Sequence, residues 1–286
     1  MPAPRIGERR LSFRRRADAG PRMRFRRGVY LLPSLFTLGN MFCGYACVVF
    51  AMRGEFETAA PFIGVAIVLD ILDGRIARLT GTASAFGMEF DSLADIISFG
   101  MAPAILAFSW GLQPLGRLGW AAGFLFVTAA AMRLARFNIQ TNTAGEKDKR
   151  YFVGMPSPAA AAVPAATVFA YPEGLLDYRA ALPALAMVLV PAILMVSTIR
   201  FRSFKTFDLR NRRPYTILMF FAAGITLVAT HPRIVLVVLA YSYLASAFVG
   251  MAISKFRHRD GQAAPAENPP HEDADQHFDT RDTAAR

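Results

Sequence analysis

Four aspartates lie within one short stretch of a chain that otherwise has the composition of a lipid-embedded protein. Residues 70–95 read DILDGRIARLTGTASAFGMEFDSLAD and contain Asp70, Asp73, Asp91 and Asp95. The chain of 286 residues is 54% hydrophobic, and apolar segments flank this stretch on both sides. An ionised aspartate at the centre of a bilayer costs roughly 2.5–3.5 kcal/mol on insertion scales. Any fold of this chain must therefore compensate these four charges.

The apolar residues fall into eight blocks, and a block of about 20 residues is long enough to cross a bilayer as a helix. Several blocks reach that length and two or three are slightly shorter. Gly and Pro occur inside them, as they commonly do in membrane helices. The pattern predicts an all-α polytopic membrane bundle of about eight transmembrane helices. The approximate bounds are Leu31–Met52, Ala59–Ala77, Ala85–Leu112, Gly119–Phe137, Gly154–Tyr171, Ala180–Ile199, Tyr215–Thr230 and Ile234–Ile253.

The basic residues predict how these helices are oriented, because cytoplasmic loops carry an excess of Lys and Arg. If both termini are cytoplasmic, all but four of the 32 Lys and Arg residues lie on that side. The four on the other side are Arg53, Arg117, Arg179 and Arg233. This asymmetry predicts a multi-pass protein of the inner (plasma) membrane. The aspartates then lie at its cytoplasmic face, where the second span leads into the third.

Composition divides the chain into three parts. Residues 1–29 form a basic segment that we expect to be a cytoplasmic tail lying against anionic lipid headgroups. Residues 30–257 contain all the apolar blocks and form the predicted transmembrane domain. Residues 258–286 are rich in Pro, Ala and acidic residues, and we expect them to be a disordered tail. The bilayer is the expected environment, and no nucleic-acid partner is expected.

Helical geometry predicts that the acidic residues form two stripes. At 100° per residue, Asp70 and Asp73 share a helix face with Gly74, Ala77 and Arg78. On the next helix, Gly87, Asp91 and Asp95 are spaced i, i+4, i+8, and Ser84 lies close to that stripe. Glu89 falls on the opposite side and is excluded from the site. The short link LTGTA makes the two helices neighbours, so the stripes can face each other.

Four carboxylates that face one another require positive charge. Oxygen-only ligation, with no His or Cys in reach, favours hard ions, so we predict two divalent cations, Mg²⁺ or Mn²⁺. Paired metals at acidic clusters commonly activate and hold phosphates. Arg78 would add a bidentate phosphate donor, and Gly74 and Gly87 leave room for a headgroup. The alternative is that the acids form structural ion pairs with Arg75 and Arg78, but two arginines cannot balance four carboxylates.

The same residues resemble a known signature. Asp70-x-x-Asp73-Gly74-x-x-Ala77-Arg78, eight residues, Gly87, three residues, Asp91, three residues and Asp95 match the motif of the CDP-alcohol phosphatidyltransferases at every fixed position. This resemblance implies a six-helix core and a homodimer. It also implies that the first three aspartates hold one metal and that Asp95 helps hold the second and acts as the base. The Gly74, Arg78 and Ser84 positions would contact the CDP diphosphate or nucleotide.

Further segments are similar to one branch of that family. LPSLFTLGNMFCGY, MRLARFN and FVGMPSPAAA resemble segments of the membrane-embedded bacterial and archaeal CDP-diacylglycerol–serine O-phosphatidyltransferases. The resemblance implies transfer of the phosphatidyl group of CDP-diacylglycerol to the hydroxyl of L-serine, which gives phosphatidylserine and CMP. Glycerol 3-phosphate, inositol phosphate and choline remain alternative acceptors. An ion-coupled transporter is the alternative of a different class, but the acids lie near one membrane face and no internal repeat is visible.

A serine acceptor needs a cation for its carboxylate. Arg133 and Arg136 stand i, i+3 at the cytoplasmic end of the fourth span, and Asn138 follows them. These residues are the candidate serine-binding group, and ordinary positive-inside anchoring is the equally weighted alternative. No Ser, Cys or His stands beside a base in the acidic stretch. We therefore expect direct attack by the serine hydroxyl, with Asp95 removing its proton.

Overall fold

The computed structural model describes residues 31–81, 84–143, 151–197, 200–202 and 214–261. The predicted tail at residues 1–29, and the predicted tail at 258–286 beyond residue 261, lie outside these ranges. The described chain is helical except for one pair of short strands. The predicted class, an all-α polytopic membrane protein, is confirmed. The helices are α1 (Leu31–Met52), α2 (Phe56–Thr80), α3 (Ala85–Asp95), α4 (Ala102–Ala107), α5 (Arg117–Thr143), α6 (Ser157–Ala170), α7 (Tyr178–Val196), α8 (Pro214–Thr230) and α9 (Pro232–Gly261).

The third apolar block is a helix that changes type along its length. Between α3 and α4 the backbone forms a π-helical segment, Ile96–Met101, and a second one, Phe108–Leu112, follows α4. A short 3₁₀ turn, Gln113–Leu115, ends this third span. The apolar pattern gives no indication of these changes, because every residue in them remains helical.

Four helical segments are long and apolar enough to cross a membrane. They are Pro33–Met52, Ala85–Leu115, Arg117–Gln140 and Tyr178–Val196. Helix α2 has 25 residues but carries the charged residues of the site, and α6 has only 14 residues. Helices α8 and α9 meet at a bend of 117° and count at most as one further span. The number of eight spans therefore stays a prediction, and α9 extends to Gly261, four residues into the predicted C-terminal tail.

Helix α1 is the central contact of the site region. It packs along α2 and also contacts α3 and the π-helical segment that follows it. Helix α5 packs on α7, and α6 lies between α2 and α9. Strands β1 (Tyr151–Val153) and β2 (Arg200–Arg202) pair antiparallel, and they join the segment before α6 to the one after α7. The buried core consists mainly of small and medium apolar side chains, most of them from the third span and from α5, α6 and α7.

Segments that the charge pattern predicts on one side of the membrane contact one another. Arg233 at the start of α9 forms an ion pair with Glu57 at the start of α2. The Leu175 amide, in the loop before α7, donates to the Trp110 carbonyl at 2.8 Å. At the opposite end, Arg136 donates to the Val196 carbonyl. These contacts agree with the predicted grouping of the helix ends, while the side that faces the cytoplasm stays a prediction.

Gly44 on α1 permits the close approach of the third span. A Cβ at this position would lie 2.8 Å from the Ser98 Cα and 2.6 Å from its Oγ. Because one of these two atoms, the Ser98 Cα, belongs to the backbone and cannot rotate away, a side chain at Gly44 would push the two helices apart. The contact matters for the site, since Ser98 lies only three residues beyond Asp95.

We predict that Gly44→Ala lowers the free energy of unfolding by about 1–3 kcal/mol, the usual cost of overpacking a buried contact. The matched control is Gly64→Ala, because Gly64 is also helical and has nothing within 4 Å of its added Cβ. Thermal unfolding in detergent, followed by tryptophan fluorescence, measures both. Equal melting temperatures for the two variants would contradict the close packing of α1 on the third span.

Candidate active site

The two acid-bearing helices meet at a tightly defined link. Helix α2 ends at Gly81, whose φ of 61° is the left-handed conformation that terminates many helices. Its amide donates to the Ala77 carbonyl. Helix α3 begins after Ser84, whose Oγ accepts from the Gly87 amide at 2.9 Å as a helix N-cap. The end of one helix and the start of the next are thus both fixed by local hydrogen bonds.

Three of the four aspartates converge. Carboxylate oxygens of Asp70, Asp91 and Asp95 lie within 4.8 Å of one another, one from each residue. We refer to these three residues as the carboxylate cluster. Asp70 comes from α2 and the other two come from α3, so the two predicted acidic stripes do face each other. Oδ1 of Asp91 is buried and has no hydrogen-bond partner among the described residues.

Asp73, the fourth aspartate, stands three residues after Asp70 but is not part of the carboxylate cluster. Asp73 is only 4% exposed, and its Oδ2 accepts a hydrogen bond of 3.1 Å from Thr37 Oγ1 on α1. The three side chains that converge are thus Asp70, Asp91 and Asp95, and the grouping of the first three aspartates around one metal stays a prediction. Asp73 lies on the same helix face as Asp70, one turn further along.

Helix α1 supplies two polar residues that the sequence reasoning missed. Besides Thr37, it provides Asn40, which is fully buried and whose Nδ2 donates to Asp95 Oδ1 at 3.4 Å. The backbone carbonyl of Asn40 accepts from Ser98 Oγ at 2.9 Å. Two polar residues spaced i, i+3 in the apolar segment LFTLGNMF were the available signal, since buried polar groups in a span need partners.

The three residues predicted to bind serine have different surroundings. Arg133 Nη1 donates to Ser157 Oγ at 2.9 Å, and its Nε is buried without a partner among the described residues. The Arg133 charge acts on the Asp70 and Asp95 carboxylates. In contrast, Arg136 donates to the Val196 carbonyl at 3.2 Å and Asn138 Nδ2 to Ser92 Oγ at 3.0 Å. Only Arg133 combines proximity to the cluster with an unused buried donor.

The four residues predicted to contact the CDP group lie at the link between α2 and α3. Arg78 is exposed, and its Nε donates to the Gly74 carbonyl at 2.8 Å. A Cβ on Gly74 would lie 3.9 Å from the Arg78 guanidinium, and one on Gly87 would lie 3.1 Å from Ser84 Oγ. The two glycines thus keep the backbone accessible beside two polar side chains. Glu89 is exposed, as expected for the excluded acid.

The alternative of structural ion pairs is not what these residues form. Among the described side chains, neither Arg75 nor Arg78 lies within salt-bridge distance of any of the four aspartates. Arg133 is the basic residue whose charge acts on the carboxylate cluster, and it is a single charge. Among the described residues, negative charge therefore remains in excess at the cluster, which favours the binding of a cation.

The cluster fits a hard divalent cation by its donor set. Three carboxylates converge on one point, no His or Cys ligand is among them, and one buried carboxylate oxygen has no partner. Oxygen-only sites of this kind suit Mg²⁺ and Mn²⁺. Asp73 and the neighbouring side chains of Thr37 and Asn40 would form the rim of such a site.

The described chain is thus a helical membrane protein with a carboxylate cluster between two of its helices, as in membrane-embedded, metal-dependent enzymes. Residues 30–199 match the CDP-alcohol phosphatidyltransferase family, which is metal-dependent in general. This match covers more than half of the chain, and the chain belongs to that family. It extends from the start of α1 to the end of α7 and leaves α8 and α9 outside the matched region.

Similar proteins carry two related names. A protein of Helicobacter pylori named CDP-diacylglycerol–serine O-phosphatidyltransferase is 42% identical over 182 residues, which are 62% of this chain and 74% of the relative. A protein of the same name from Bacillus subtilis is 32% identical over 63% of this chain and 94% of the relative. An archaetidylserine synthase of Methanothermobacter thermautotrophicus is 34% identical over 59% and 69%, respectively.

We predict that Asp91→Asn weakens Mn²⁺ binding tenfold or more, because it removes a charged ligand from the carboxylate cluster; a factor of ten is about 1.4 kcal/mol. Glu89→Gln is the matched control, since it neutralises an exposed acid two residues away on the same helix. Titration of the purified protein with Mn²⁺, followed by electron paramagnetic resonance of the free ion, measures both. Equal affinities for the two variants would exclude Asp91 as a ligand.

Proposed function

We propose that this protein transfers the phosphatidyl group of CDP-diacylglycerol to the hydroxyl of L-serine and releases CMP. Membership of the CDP-alcohol phosphatidyltransferase family supports the reaction type. The names of the relatives from Helicobacter and Bacillus support the donor and the acceptor. The observation that carries the proposal is the convergence of three carboxylates together with the buried, unpartnered Nε of Arg133, because these groups offer a site for a diphosphate-bound cation and a site for an acceptor carboxylate.

The proposed cofactor is a pair of divalent cations, Mg²⁺ or Mn²⁺. Asp70, Asp91 and Asp95 would hold them together with Asp73, whose carboxylate lies one helical turn from Asp70. When bound, such cations neutralise the diphosphate and the charge that develops on the leaving group. The unpartnered Oδ1 of Asp91 is the feature of the chain that favours this assignment.

The proposed donor site lies at the link between α2 and α3. The Ser84 hydroxyl accepts from the Gly87 amide, so its own proton is available for a phosphate oxygen. Arg78 is exposed beside Gly74 and can turn its guanidinium toward a diphosphate. Gly74 and Gly87 leave space for the CDP group to approach the helix backbones.

The proposed acceptor site uses Arg133. Its guanidinium is oriented by Ser157, which leaves the buried Nε as a donor for the serine carboxylate. Arg136 and Asn138 serve this site indirectly, because they bind the Val196 carbonyl and Ser92 and thereby hold the end of α5 against its neighbours.

The chemistry proposed for the chain is direct in-line transfer. Asp95 accepts the proton of the serine hydroxyl, and the serine oxygen forms a bond to the phosphorus that carries diacylglycerol. The bond between that phosphorus and the bridging oxygen of CMP breaks, and CMP leaves with the electron pair. Because no nucleophilic Ser, Cys or His stands beside a base in the carboxylate cluster, a covalent enzyme intermediate is not required.

We further propose that the protein lies in the inner (plasma) membrane with both termini and the site on the cytoplasmic side, as the distribution of Lys and Arg favours. CDP-diacylglycerol would then enter from the cytoplasmic leaflet with its acyl chains remaining in lipid. A homodimer is the proposed assembly, on the basis of the family alone.

The first test is CMP release by the purified protein with CDP-diacylglycerol, Mg²⁺ or Mn²⁺ and one acceptor at a time. We expect release with L-serine, no release after addition of EDTA, and none with glycerol 3-phosphate, inositol phosphate or choline. Release with one of these other acceptors instead would retain the phosphatidyltransferase and overturn the serine assignment. If none of the acceptors gives CMP release, the transporter alternative is reopened.

We predict that Asp95→Asn lowers kcat by a factor of about 10²–10⁴, the usual contribution of a general base. Binding of CDP-diacylglycerol should remain within a few fold of the wild type, because Asn preserves the shape of the side chain and three aspartates remain. Equilibrium binding and single-turnover CMP release measure the two effects separately, with Glu89→Gln as the control. Parallel loss of binding and turnover would rule out the role of Asp95 as a base.

A further inference from the structure

Three buried side-chain atoms in the described part of the chain have no hydrogen-bond partner, and all three surround the proposed site. They are Asp91 Oδ1, Arg133 Nε and Asn40 Oδ1. The first belongs to the carboxylate cluster, and the second is the proposed carboxylate donor. The third is an amide oxygen with no role in the proposed reaction. A buried unpaired polar atom costs free energy and therefore indicates a partner that the described residues do not supply.

The orientation of Asn40 is fixed by its neighbours. Its amide group can place either oxygen or nitrogen toward Asp95, but the ionised carboxylate that acts as the proposed base only accepts hydrogen bonds, so the nitrogen faces it. The resulting bond to Asp95 Oδ1 is 3.4 Å long. Ser98 holds the backbone of Asn40 by donating to its carbonyl at 2.9 Å. The unpaired Oδ1 shares a carbon with the bonded nitrogen and so lies within one amide width of the contact with Asp95.

The position of this oxygen suits one group of an amino-acid acceptor. When a serine hydroxyl meets Asp95, its ammonium group is only two carbons away from the reacting oxygen. An ammonium group is a donor without acceptor capacity, which is what an unpaired amide oxygen needs. Arg133 offers a donor for the carboxylate of the same acceptor. The two unpaired atoms thus have the opposite hydrogen-bonding characters that the two charged groups of an amino-acid zwitterion require.

We propose that Asn40 is a specificity-determining residue that accepts a hydrogen bond from the ammonium group of the acceptor through Oδ1. This inference rests on the proposed function and adds to it a residue that selects amino-acid acceptors. Glycerol 3-phosphate and inositol phosphate carry no ammonium group and would leave the buried oxygen unpaired. An unsatisfied buried polar group is among the stronger physical means of rejecting an analogue.

The competing explanation is that Asn40 only positions Asp95 through Nδ2. Both roles predict a loss of activity when Asn40 is replaced, so activity with serine alone does not distinguish them. They differ in their dependence on the acceptor. A residue that only orients the base affects every acceptor equally, whereas a residue that binds the ammonium group affects only acceptors that have one.

The test compares L-serine with 3-hydroxypropionate, which keeps the hydroxyl and the carboxylate but lacks the ammonium group. The ratio of kcat/KM for the two acceptors is measured by CMP release for the wild type and for Asn40→Leu. We expect Asn40→Leu to reduce the preference for serine tenfold or more, which corresponds to about 1.4 kcal/mol of coupling. Equal losses with both acceptors would overturn the proposal and leave Asn40 as a positioning residue.

Thr37→Val is the matched control, because Thr37 stands one turn earlier on the same helix and donates to Asp73. We expect Thr37→Val to lower kcat/KM by the same factor for both acceptors. If 3-hydroxypropionate reacts too slowly, its inhibition constant against serine replaces kcat/KM. If Asn40→Leu does not fold, Asn40→Ala takes its place in the same comparison.

An Asn40→Leu protein that folds and yet is inactive with both acceptors needs a second measurement. In that case the test measures the increase in melting temperature that serine produces in the presence of CDP-diacylglycerol. Loss of that increase, with the one produced by CDP-diacylglycerol retained, supports ammonium binding; persistence of the increase overturns it. The wild-type protein distinguishes failure of the proposed function from failure of the role of Asn40. If it releases no CMP with serine, the proposed function fails; if it does and the preference is unchanged in the variant, only the role of Asn40 fails.

Discussion

The rest of the structure depends on the compensation of negative charge inside a membrane domain. Three carboxylates whose oxygens lie within 4.8 Å repel one another, and a medium of low dielectric constant screens that repulsion poorly. Hydrogen-bond donors and one positive charge from helices other than α2 and α3 partly compensate this repulsion. Thr37 and Asn40 bind Asp73 and Asp95 from α1, and Arg133 brings one positive charge from α5. The charge that is left over explains why the site is suited to cations.

This need for external donors accounts for the central place of α1. The helix is mostly apolar, yet it contacts both acid-bearing helices and directs its two buried polar side chains at them. Gly44 lets the third span approach closely enough for Ser98 to bind the Asn40 carbonyl. A substitution at Gly44 would therefore be felt at Asp95 through two intermediate contacts. Packing and site chemistry are connected here by specific atoms on one helix.

The sequence predicted the features that depend on local patterns, namely the length of an apolar block and the helical period of 100° per residue. The bounds of α1 agree with its apolar block. The helical period correctly predicted that Asp70 faces Asp91 and Asp95. It could not predict which polar residues from a distant segment reach them, because Thr37 and Asp73 are paired only by the packing of α1 on α2. The same limit applies to Arg136 and Asn138: spacing grouped them with Arg133, but their hydrogen bonds with Val196 and Ser92 depend on how α5 meets other helices.

The proposed roles divide the site between two parts of the fold. The proposed donor contacts lie near the link between α2 and α3, where the signature of the family is found. The proposed acceptor contacts lie on α1 and α5, which that signature does not include. A division of this kind lets one phosphotransfer centre serve different alcohols, since acceptor residues can change without disturbing the carboxylate cluster.

The π-helical segment Ile96–Met101, which follows Asp95 directly, has a further consequence. A π-helical turn contains more residues than an α-helical one, so it takes up one extra residue within a single turn. The positions beyond it are therefore offset by about one residue, or about 100°, from where the α-helical period counted from Asp95 would place them. The helical period that relates Asp91 to Asp95 thus cannot be extended through this segment to the rest of the third span. Deleting one residue from the segment would restore regular α-helical hydrogen bonding and leave the rest of the span in nearly the same orientation.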